Sequence, residues 1–402
     1  MRGVLAGKRV VALEVAVAGP FCTSLLGDMG AEVIKIERPG GDLIRSWDSV
    51  VRGLSSGYVW VNRNKRSVVL DLKREGAREV ARRLVERADV FVENYAPGVA
   101  EALGLGYEQV RAWNPRLVYC SISGYGREGP YREMKAYDLL VQAEAGMMAV
   151  TGYPDAPAKV GVPVADLAAG LYGALGIALA LLERERTGEG QFVEVSMFEA
   201  MLAWLGYFPY HVWYGGQEPG RVGMRHHYIV PYGPFQTAEG KWICFAVASD
   251  RDWRRFCEQV IERPDLVEHP DYHTVEKRRQ NRETLEPLLE RILRTRSQEE
   301  WARRLQAAGL PWGLMRSIGE VLAHPQVQAR GLIQELNSPV GRVKTIASPL
   351  RLERNRAQYT RVPDLGEDTV PVLRELGFSM EKIRILQAEG VVGTGSDTGG
   401  SA

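Results

Sequence analysis

Cysteine is scarce in this sequence, and its spacing argues against two common ways of holding a fold together. The 402 residues contain four cysteines, Cys22, Cys120, Cys244 and Cys257, and no two of them form a CxxC pair. Disulfide-stapled domains and zinc fingers both rely on closely spaced cysteines. We therefore expect four reduced thiols in a protein that folds around a large hydrophobic core, as a chain of this length allows.

The sequence also lacks an excess of either charge. Its 51 basic and 50 acidic residues give a net charge of +1. Proteins that bind nucleic acids generally carry a basic surplus, so we expect no nucleic-acid partner. The hydrophobic fraction of 45% and the charged fraction of 25% are ordinary for a globular protein.

Long hydrophobic runs are missing as well. The N-terminal segment has no distinct apolar stretch followed by a cleavage site, which a signal peptide would have. The most apolar helical pattern, Leu167–Leu182, spans 16 residues, whereas a bilayer needs about 20. We expect a cytoplasmic protein without a membrane partner.

Several catalytic and binding motifs are absent. The sequence has no GxSxG nucleophile elbow and no GxxxxGK[ST] phosphate loop, and the turn after its first predicted strand is not GxGxxG. Among its six histidines, His226 and His227 are adjacent, and His269 and His273 have Pro270 between them. Because neither pair has a matching carboxylate motif, we predict no metal site and no permanently bound cofactor.

What the sequence does contain is an alternation of strands and helices over its first half. Short runs rich in β-branched residues are separated by helical patterns and turns. This alternation predicts an α/β fold, a Rossmann-like doubly wound parallel sheet. The predicted strands are Arg9–Leu13, Glu32–Glu37, Val68–Leu72, Val90–Glu93, Leu117–Ser123 and Gln191–Ser196.

Polar and glycine residues follow the ends of these strands. Arg38, Lys73, Asn94 and Gly98 all come at or shortly after a strand's carboxyl end. Carboxyl ends of parallel strands meet at one edge of a sheet, where ligands bind. Basic side chains and backbone amides at that edge suit a phosphate-bearing ligand. The basic segment Asn62–Ser67 is predicted to be a loop before the third strand.

Asp166 is the carboxylate on which the chemistry depends. It stands at the start of the apolar helical pattern Leu167–Leu182. Asp is a favoured N-cap, because its side chain accepts hydrogen bonds from the free N–H groups of the first turn. A helix N-terminus also favours the ionised carboxylate that a nucleophile needs. Local sequence leaves both compatible roles open.

Changes in composition divide the chain into regions. Aromatic, Gly and Pro residues become frequent between about Tyr207 and Phe235, and helical patterns follow. We predict a large domain from residues 1–210 and 330–392, with a linker and a smaller α+β domain at 211–329. The Gly-, Ser- and Thr-rich tail, 393–402, is predicted to be flexible.

Several segments together resemble the class III CoA-transferase family, the formyl-CoA transferase and CaiB/BaiF group. Each segment is weak alone, but their order and spacing from residue 7 to about 200 are specific. They are Ala18–Pro20, Gly30–Arg38, Asn64–Lys73, Val92–Gly98, Lys135–Asp138, Asp166 with Gly170, and Thr187–Gln191.

The resemblance implies a homodimer of two interlocked chains. It implies that Asp166 is the catalytic nucleophile and that Tyr137 and Asp138 lie close to it. It also implies a binding site for coenzyme A, which is a substrate here and not a resident cofactor. The residues that would line this site are Arg38, Lys73, Asn94, Tyr95, Gly98 and Lys135.

The reaction implied by the resemblance moves CoA from an acyl-CoA to a free carboxylic acid through an Asp166–CoA thioester. One relative, α-methylacyl-CoA racemase, instead uses a histidine in a Gly-His-Asp segment to move a proton. The corresponding segment here is Ala136–Asp138, and Tyr137 is a poor general base near neutral pH. Transfer is therefore favoured over racemisation. A CoA- or nucleotide-binding protein without catalytic activity is the third alternative.

Two segments depart from the pattern of formyl-CoA transferase. Residues 221–228 replace a glycine-rich loop, and Arg225, His226 and His227 within them are candidate ligands for a substrate carboxylate. They favour a short-chain or dicarboxylic acid as substrate. The apolar turn Val15–Val17 argues against formyl or oxalyl specificity.

Overall fold

A computed structural model describes residues 3–393 of the chain. These residues group into two compact units, which are described in turn. The first comprises the described parts of 1–147, 160–206 and 328–402, and the second comprises 148–159 and 207–327. Of the predicted flexible tail, Gly393 is described, and residues 394–402 lie outside the described residues.

The strands are short, and most of them fall where β-branched runs occur. In chain order they are β1 Arg9–Leu13, β2 Glu32–Glu37, β3 Lys65–Leu70, β4 Val90–Glu93, β5 Val118–Ser123, β6 Gly152–Tyr153, β7 Ala156–Pro157, β8 Phe192–Ser196, β9 Tyr232–Gln236, β10 Trp242–Ala246, β11 Trp312–Leu314, β12 Ile333–Ser338, β13 Gly341–Ile346 and β14 Val392–Gly393.

Helices separate most of these strands. In chain order they are α1 Ala18–Asp28, α2 Ser56–Val61, α3 Ala77–Glu86, α4 Val99–Ala102, α5 Tyr107–Trp113, α6 Asp138–Glu144, α7 Met147–Val150, α8 Val164–Thr187, α9 Met197–Trp204, α10 Phe208–Gly215, α11 Asp250–Arg255, α12 Val275–Gln280, α13 Arg282–Leu293, α14 Gln298–Ala307, α15 Ile318–Leu322, α16 Pro325–Ala329, α17 Thr369–Glu375 and α18 Met380–Ala388.

The first unit is built on a seven-stranded sheet in the order β14-β3-β2-β1-β4-β5-β8. Six strands are parallel to their neighbours, and β14 pairs antiparallel with β3 at one edge. The mixed α/β class and the largely parallel sheet expected from the sequence are thus confirmed. Because β1 has β2 on one side and β4 on the other, the strand order reverses there. Such a reversal opens a crevice at the carboxyl ends of the two strands.

Both faces of this sheet are covered by helices, because alternate residues of each strand point to opposite faces. Val11 and Leu13 of β1 belong to a core formed with α3, α5, α17 and α18. Val10 and Ala12 belong to the opposite core, to which α1 and α8 contribute. The central strands are therefore buried on both faces, and the polar residues available for binding lie at the strand ends.

Helix α8 is longer than the pattern Leu167–Leu182 predicted. It runs for 24 residues, its most apolar 18-residue stretch has a mean hydropathy of 1.8, and it is long and apolar enough to cross a membrane. The expectation that this helix is too short for a membrane span was therefore wrong. Half of its most apolar stretch is buried within the molecule, as in a helix that packs on a protein core.

Helices α1 and α8 approach each other closely at glycine. A Cβ placed on Gly170 would lie 2.7 Å from the carbonyl oxygen of Ala18 and 3.2 Å from the backbone nitrogen of Cys22. One turn further, a Cβ on Gly173 would lie 3.1 Å from the Cys22 sulfur. The missing side chains allow the second and third turns of α8 to lie directly against the first turns of α1.

The second unit has a three-stranded antiparallel sheet, in the order β11-β10-β9, and helices α11 to α14. Its core is rich in stacked aromatic rings, including Phe235, Phe245 and Phe256. Residues 148–159, assigned to the large domain from sequence, belong to this unit. One contact that joins them to it is a hydrogen bond between residues distant in sequence, in which the N–H of Gly223 donates to the carbonyl of Gly152 at 2.8 Å.

One correction to the expected fold concerns the basic segment Asn62–Ser67. Strand β3 begins at Lys65, earlier than the predicted Val68, and Lys65 is fully buried. Its ammonium donates to Glu14 Oε1 at 2.6 Å and to the carbonyl of Pro20 at 2.9 Å. Lys65, which the sequence placed in a surface loop, is thus held in the interior by the buried carboxylate of Glu14.

The close approach of α1 and α8 yields a stability prediction. Replacing Gly170 with Ala forces a methyl group against backbone atoms of α1, which cannot move aside cheaply. We expect G170A to lower the free energy of unfolding by about 1–3 kcal/mol, measured by thermal or urea denaturation. The control is G161A, because a Cβ on Gly161 has no atom within 4 Å. Equal melting temperatures for the two variants would contradict the predicted contact.

Candidate active site

A strained loop follows β1 at the point where the strand order reverses. Ala16 has a φ of 58°, a left-handed conformation that non-glycine residues rarely adopt. The side-chain amide of Asn94, directly after β4, forms two hydrogen bonds to the backbone of Val15, the residue before Ala16. Its Oδ1 accepts from the N–H of Val15 at 2.8 Å, and its Nδ2 donates to the carbonyl of Val15 at 3.0 Å. The side chain of Asn94 therefore spans the crevice between β1 and β4.

Asp166 lies at the junction of α1 and α8. The backbone N–H of Ala18, the first residue of α1, donates to its carboxylate. Asp166 is also the third residue of α8, so N-terminal turns of two helices surround the same group. Helix N-termini favour negative charge, and they are suited to binding an oxyanion that forms during a reaction.

The expectation that Asp166 caps α8 was wrong. The helix begins two residues earlier, at Val164, and its N-cap is Pro163, which has no side-chain acceptor. Asp138 supplies the acceptor from outside the helix, since its Oδ1 accepts from the N–H of Ala165 at 2.8 Å. The carboxylate of Asp166 is consequently not engaged in capping its own helix.

The surroundings of Asp166 change its acidity. Burial and the neighbouring Asp138 carboxylate raise the pKa of Asp166 to about 7, while the hydrogen bond from Ala18 opposes this increase. A carboxylate with this pKa is a stronger nucleophile than an ordinary aspartate, and near neutral pH a large fraction of it is ionised. A perturbed carboxyl group in a crevice is typical of a catalytic site.

Gln142 is part of this site, although nothing in the sequence distinguished it. It is fully buried on α6. Its Nε2 donates to Asp138 Oδ2 at 2.8 Å, and its Oε1 accepts from the N–H of Val160 at 2.8 Å. Gln142 thereby fixes Asp138 and the segment that leads into α8. Such a role depends on a contact over 18 residues and has no local signal.

Two of the residues predicted to bind CoA lie near the strained loop. Tyr95 follows Asn94 and is half-buried, and burial raises the pKa of its hydroxyl. The charges of Lys35, Asp42 and Arg38 also act on the Tyr95 hydroxyl. Arg38 is exposed after β2, and its Nε donates to the carbonyl of Gly41 at 3.1 Å.

The other predicted CoA ligands are more exposed. Lys73 follows β3 at the same sheet edge, and Lys135 lies in the segment before α6. Gly98 has a φ of 87° at the start of α4, and a Cβ there would meet no atom within 4 Å. Tyr137, at the N-terminus of α6, is 64% exposed, so its ring is accessible to a ligand. The roles of all these residues stay predictions.

The candidate substrate residues of the second unit are bound to their own unit. Arg225 donates to the carbonyl of Pro234 and to Glu290 Oε1, the latter at 3.0 Å, and its guanidinium lies 3.7 Å from the Phe235 ring centre. His226 Nδ1 accepts from two backbone N–H groups. The predicted role of these side chains in binding an acid is untested, and for Arg225 it would compete with the Glu290 pair.

The sequence predicted no metal site. Within residues 3–393, no three His, Cys, Asp or Glu side chains come together in a group that would hold a metal ion.

Comparison with known proteins places the chain among CoA-transferases. Residues 5–369 match CoA-transferase family III. The chain is 35% identical over 394 residues to human succinyl-CoA:glutarate CoA-transferase, covering 96% of this chain and 90% of the relative. It is 39% identical over 335 residues to acetyl-CoA:oxalate CoA-transferase of Acetobacter aceti, covering 83% and 86%.

A solved structure agrees with these similarities. The crystal structure of a CaiB/BaiF family protein from Brucella suis is 34% identical and superposes with a TM-score of 0.84, covering 94% of this chain and 100% of that one. The family resemblance inferred from the sequence is confirmed.

The raised pKa of Asp166 predicts a pH-dependent stability. Its pKa rises from the ordinary value of 3.8 to about 7 on folding, so the folded protein binds this proton more tightly than the unfolded chain. The resulting loss of stability is absent well below pH 4 and grows as the pH rises to about 7. We expect the stability of D166N relative to wild type to increase by about 1–3 kcal/mol between pH 5 and pH 8. Denaturation at both pH values measures it.

The control for this experiment is D155N, which makes the same change at an exposed turn. Its stability relative to wild type should differ little between the two pH values. A D166N variant whose relative stability is the same at pH 5 and pH 8 would contradict the raised pKa.

Proposed function

The chain belongs to CoA-transferase family III, and we propose that it moves CoA from an acyl-CoA to a free carboxylic acid through a covalent intermediate on Asp166. The observation that carries this proposal is the position of the Asp166 carboxylate. It is half-buried, has a pKa of about 7, and accepts a hydrogen bond from the first turn of a neighbouring helix. It lies beside the crevice in which parallel α/β sheets bind their ligands.

The first half of the proposed reaction transfers CoA to the enzyme. An oxygen of ionised Asp166 attacks the thioester carbonyl, the C–S bond breaks, and a mixed anhydride and a CoA thiolate result. The thiolate then attacks the aspartyl carbonyl and displaces the donor acid. An Asp166–CoA thioester remains. Dividing the exchange in this way replaces one difficult step by easier ones.

The second half reverses these steps with another acid. The acceptor carboxylate attacks the Asp166 thioester and releases CoA thiolate, which then attacks the acyl carbon of the new anhydride. The products are the new acyl-CoA and free Asp166. The N–H of Ala18 already points at the Asp166 carboxylate, so it is placed to stabilise negative charge on the aspartyl oxygen in the two tetrahedral intermediates that form at the aspartyl carbon.

The substrate acids are proposed to be short dicarboxylates. The two named relatives act on succinyl-CoA with glutarate and on acetyl-CoA with oxalate. The basic loop 221–228 is the part of this chain that suits a second carboxylate. Within it His227 is half-buried, and its Nε2 lies 3.0 Å from the carbonyl oxygen of Gly220.

The decisive experiment is to trap the enzyme thioester. Wild-type protein is incubated with succinyl-CoA and then treated with hydroxylamine, which converts an aspartyl thioester to a hydroxamate. Mass spectrometry should locate the modification on Asp166. The D166N variant should carry no adduct and should lose at least about 10³-fold in kcat, since the nucleophile is removed.

The alternatives give different results in the same assay. Exchange of the α-proton of a 2-methylacyl-CoA with solvent, without an adduct, would indicate an isomerase. Binding of CoA thioesters without an adduct or exchange, across a panel of acyl-CoAs, would indicate a protein that binds CoA without chemistry. Either outcome overturns the proposed transfer.

The proposal includes a homodimer of interlocked chains. Helix α8 supports it, because four leucines spaced along one of its faces are exposed: Leu171, Leu175, Leu179 and Leu182. Residues three and four apart lie on the same face of a helix, so they form a continuous apolar strip. Exposed strips of this kind mark protein–protein contacts, and a second copy of the chain would cover this one.

This assembly predicts the effect of a charge on the strip. The double change L175E/L179E places two carboxylates within the proposed contact, and burying them without partners is strongly unfavourable. We expect the variant to sediment as a monomer in analytical ultracentrifugation, or to be recovered with much less dimer than wild type. The control is I385E on α18, an exposed position away from α8. A dimeric L175E/L179E protein would argue against this contact.

A further inference from the structure

Four charged side chains are buried directly behind the strained loop: Glu14, Lys35, Asp42 and Lys65. All four are less than 5% exposed. They form two ion pairs, Lys65 with Glu14 at 2.6 Å and Lys35 with Asp42 at 2.6 Å. The cluster is electrically balanced, and none of its members belongs to the proposed nucleophile or CoA-binding residues.

The side chain of Asn62 connects the two ion pairs. Its Oδ1 accepts from Lys35 Nζ at 3.0 Å and from Lys65 Nζ at 3.2 Å. Glu14 connects them from the other side, since its Oε1 also lies 3.8 Å from Lys35 Nζ. Buried ion pairs are expensive to desolvate and seldom stabilise a fold more than apolar residues would. Stabilisation of the fold therefore does not explain why these ion pairs are buried here, and we looked for a role in the active site.

Asp42 is the member that contacts the loop. Its Oδ1 accepts from the N–H of Ala16 at 3.1 Å and from the N–H of Ile44 at 3.2 Å, while its Oδ2 faces Lys35. Ala16 is the residue with the positive φ. Strained backbone of this kind persists only where the surroundings hold it, and Asp42 holds Ala16 while Asn94 holds Val15.

We propose that Asp42, fixed by Lys35, is a positioning residue that holds the loop 15–17 so that the N–H of Ala18 points at the Asp166 carboxylate. This inference rests on the proposed function, and it adds a regulating contact that touches neither CoA nor the acid. The chain of contacts is short: Lys35 to Asp42, Asp42 to Ala16, and two residues further the Ala18 N–H to Asp166.

The test separates the hydrogen bond to Ala16 from the buried charge. Changing Asp42 alone would leave Lys35 unpaired in the interior, which is strongly destabilising. Both variants therefore also replace Lys35 with Met, and Glu14 keeps Lys65 as its partner. K35M/D42N retains an oxygen that accepts from Ala16, whereas K35M/D42L has a side chain of similar size without an acceptor.

The two variants should differ in catalysis and not in substrate binding. We expect kcat of K35M/D42L to fall at least about tenfold below that of K35M/D42N, with KM for the acyl-CoA changed less than twofold. The pKa of Asp166, followed by carboxyl-carbon NMR, should be higher in the Leu variant by about half a unit or more, because the opposing Ala18 hydrogen bond weakens. If Asp42 had only a structural role, the two variants would show the same kcat and the same Asp166 pKa.

Equal kcat and equal Asp166 pKa in the two folded variants would overturn the inference. A measurement on wild-type protein covers the case in which a variant fails to fold. The amide of Ala16, bonded to a buried carboxylate, should exchange with deuterium as slowly as the amides of β1. Exchange of Ala16 at the rate of an exposed loop would also overturn it.

These outcomes are distinguishable from failure of the proposed function. The NMR titration of Asp166 and the exchange rate of Ala16 do not require turnover. If wild-type protein forms no Asp166 adduct with any acyl-CoA, the transferase proposal fails, and the two measurements still decide whether Asp42 positions the loop.

Discussion

The contact between the first turns of α1 and α8 is the constraint on which the site depends. Two helices can pack this closely near their N-termini only if one of them presents no side chain at the point of contact. Gly170, in the second turn of α8, meets that condition against the Ala18 carbonyl. The consequence is electrostatic. Asp166 lies among the amides of two helix ends, so a carboxylate that burial makes less acidic remains able to ionise near neutral pH.

The second supporting element is a set of charges within the core of the first unit. Sheets of this kind are usually filled with apolar side chains, and here Lys35 and Lys65 on adjacent strands are completely buried. Burial lowers the pKa of Lys65 to about 8 against the attraction of Glu14. Burial also opposes ionisation of Lys35, but the carboxylates around it prevail, with Asp42 the strongest, and raise its pKa. The loop that faces the crevice therefore rests on fixed charges.

Most of the fold could be predicted from local patterns. Strands β1, β2, β4, β5 and β8 fall on β-branched runs, and the alternation with helices is sufficient to infer a parallel sheet. The buried start of β3 could not be predicted, because Lys65 and Arg66 read as a surface segment until the carboxylates that pair with them are known. The hairpin β6–β7 was assigned to the wrong unit for a similar reason, since its partner Gly223 is distant in sequence.

The sequence by itself determined which side chains this protein has available for chemistry: one aspartate before an apolar helix, basic residues at strand ends, and no histidine beside Asp138. Those features depend only on residue type and on spacing within a short stretch of sequence, so they can be read without knowledge of tertiary contacts. Only the tertiary structure decided that Asp138 caps α8 in place of Asp166, that Gln142 fixes Asp138, and that Asn94 and Asp42 hold the loop beside the nucleophile. Apart from the bond between Gln142 and Asp138, which lies within one turn of α6, each of these depends on a hydrogen bond between residues that are distant in sequence. Such bonds exist only once the sheet and its helices have assembled.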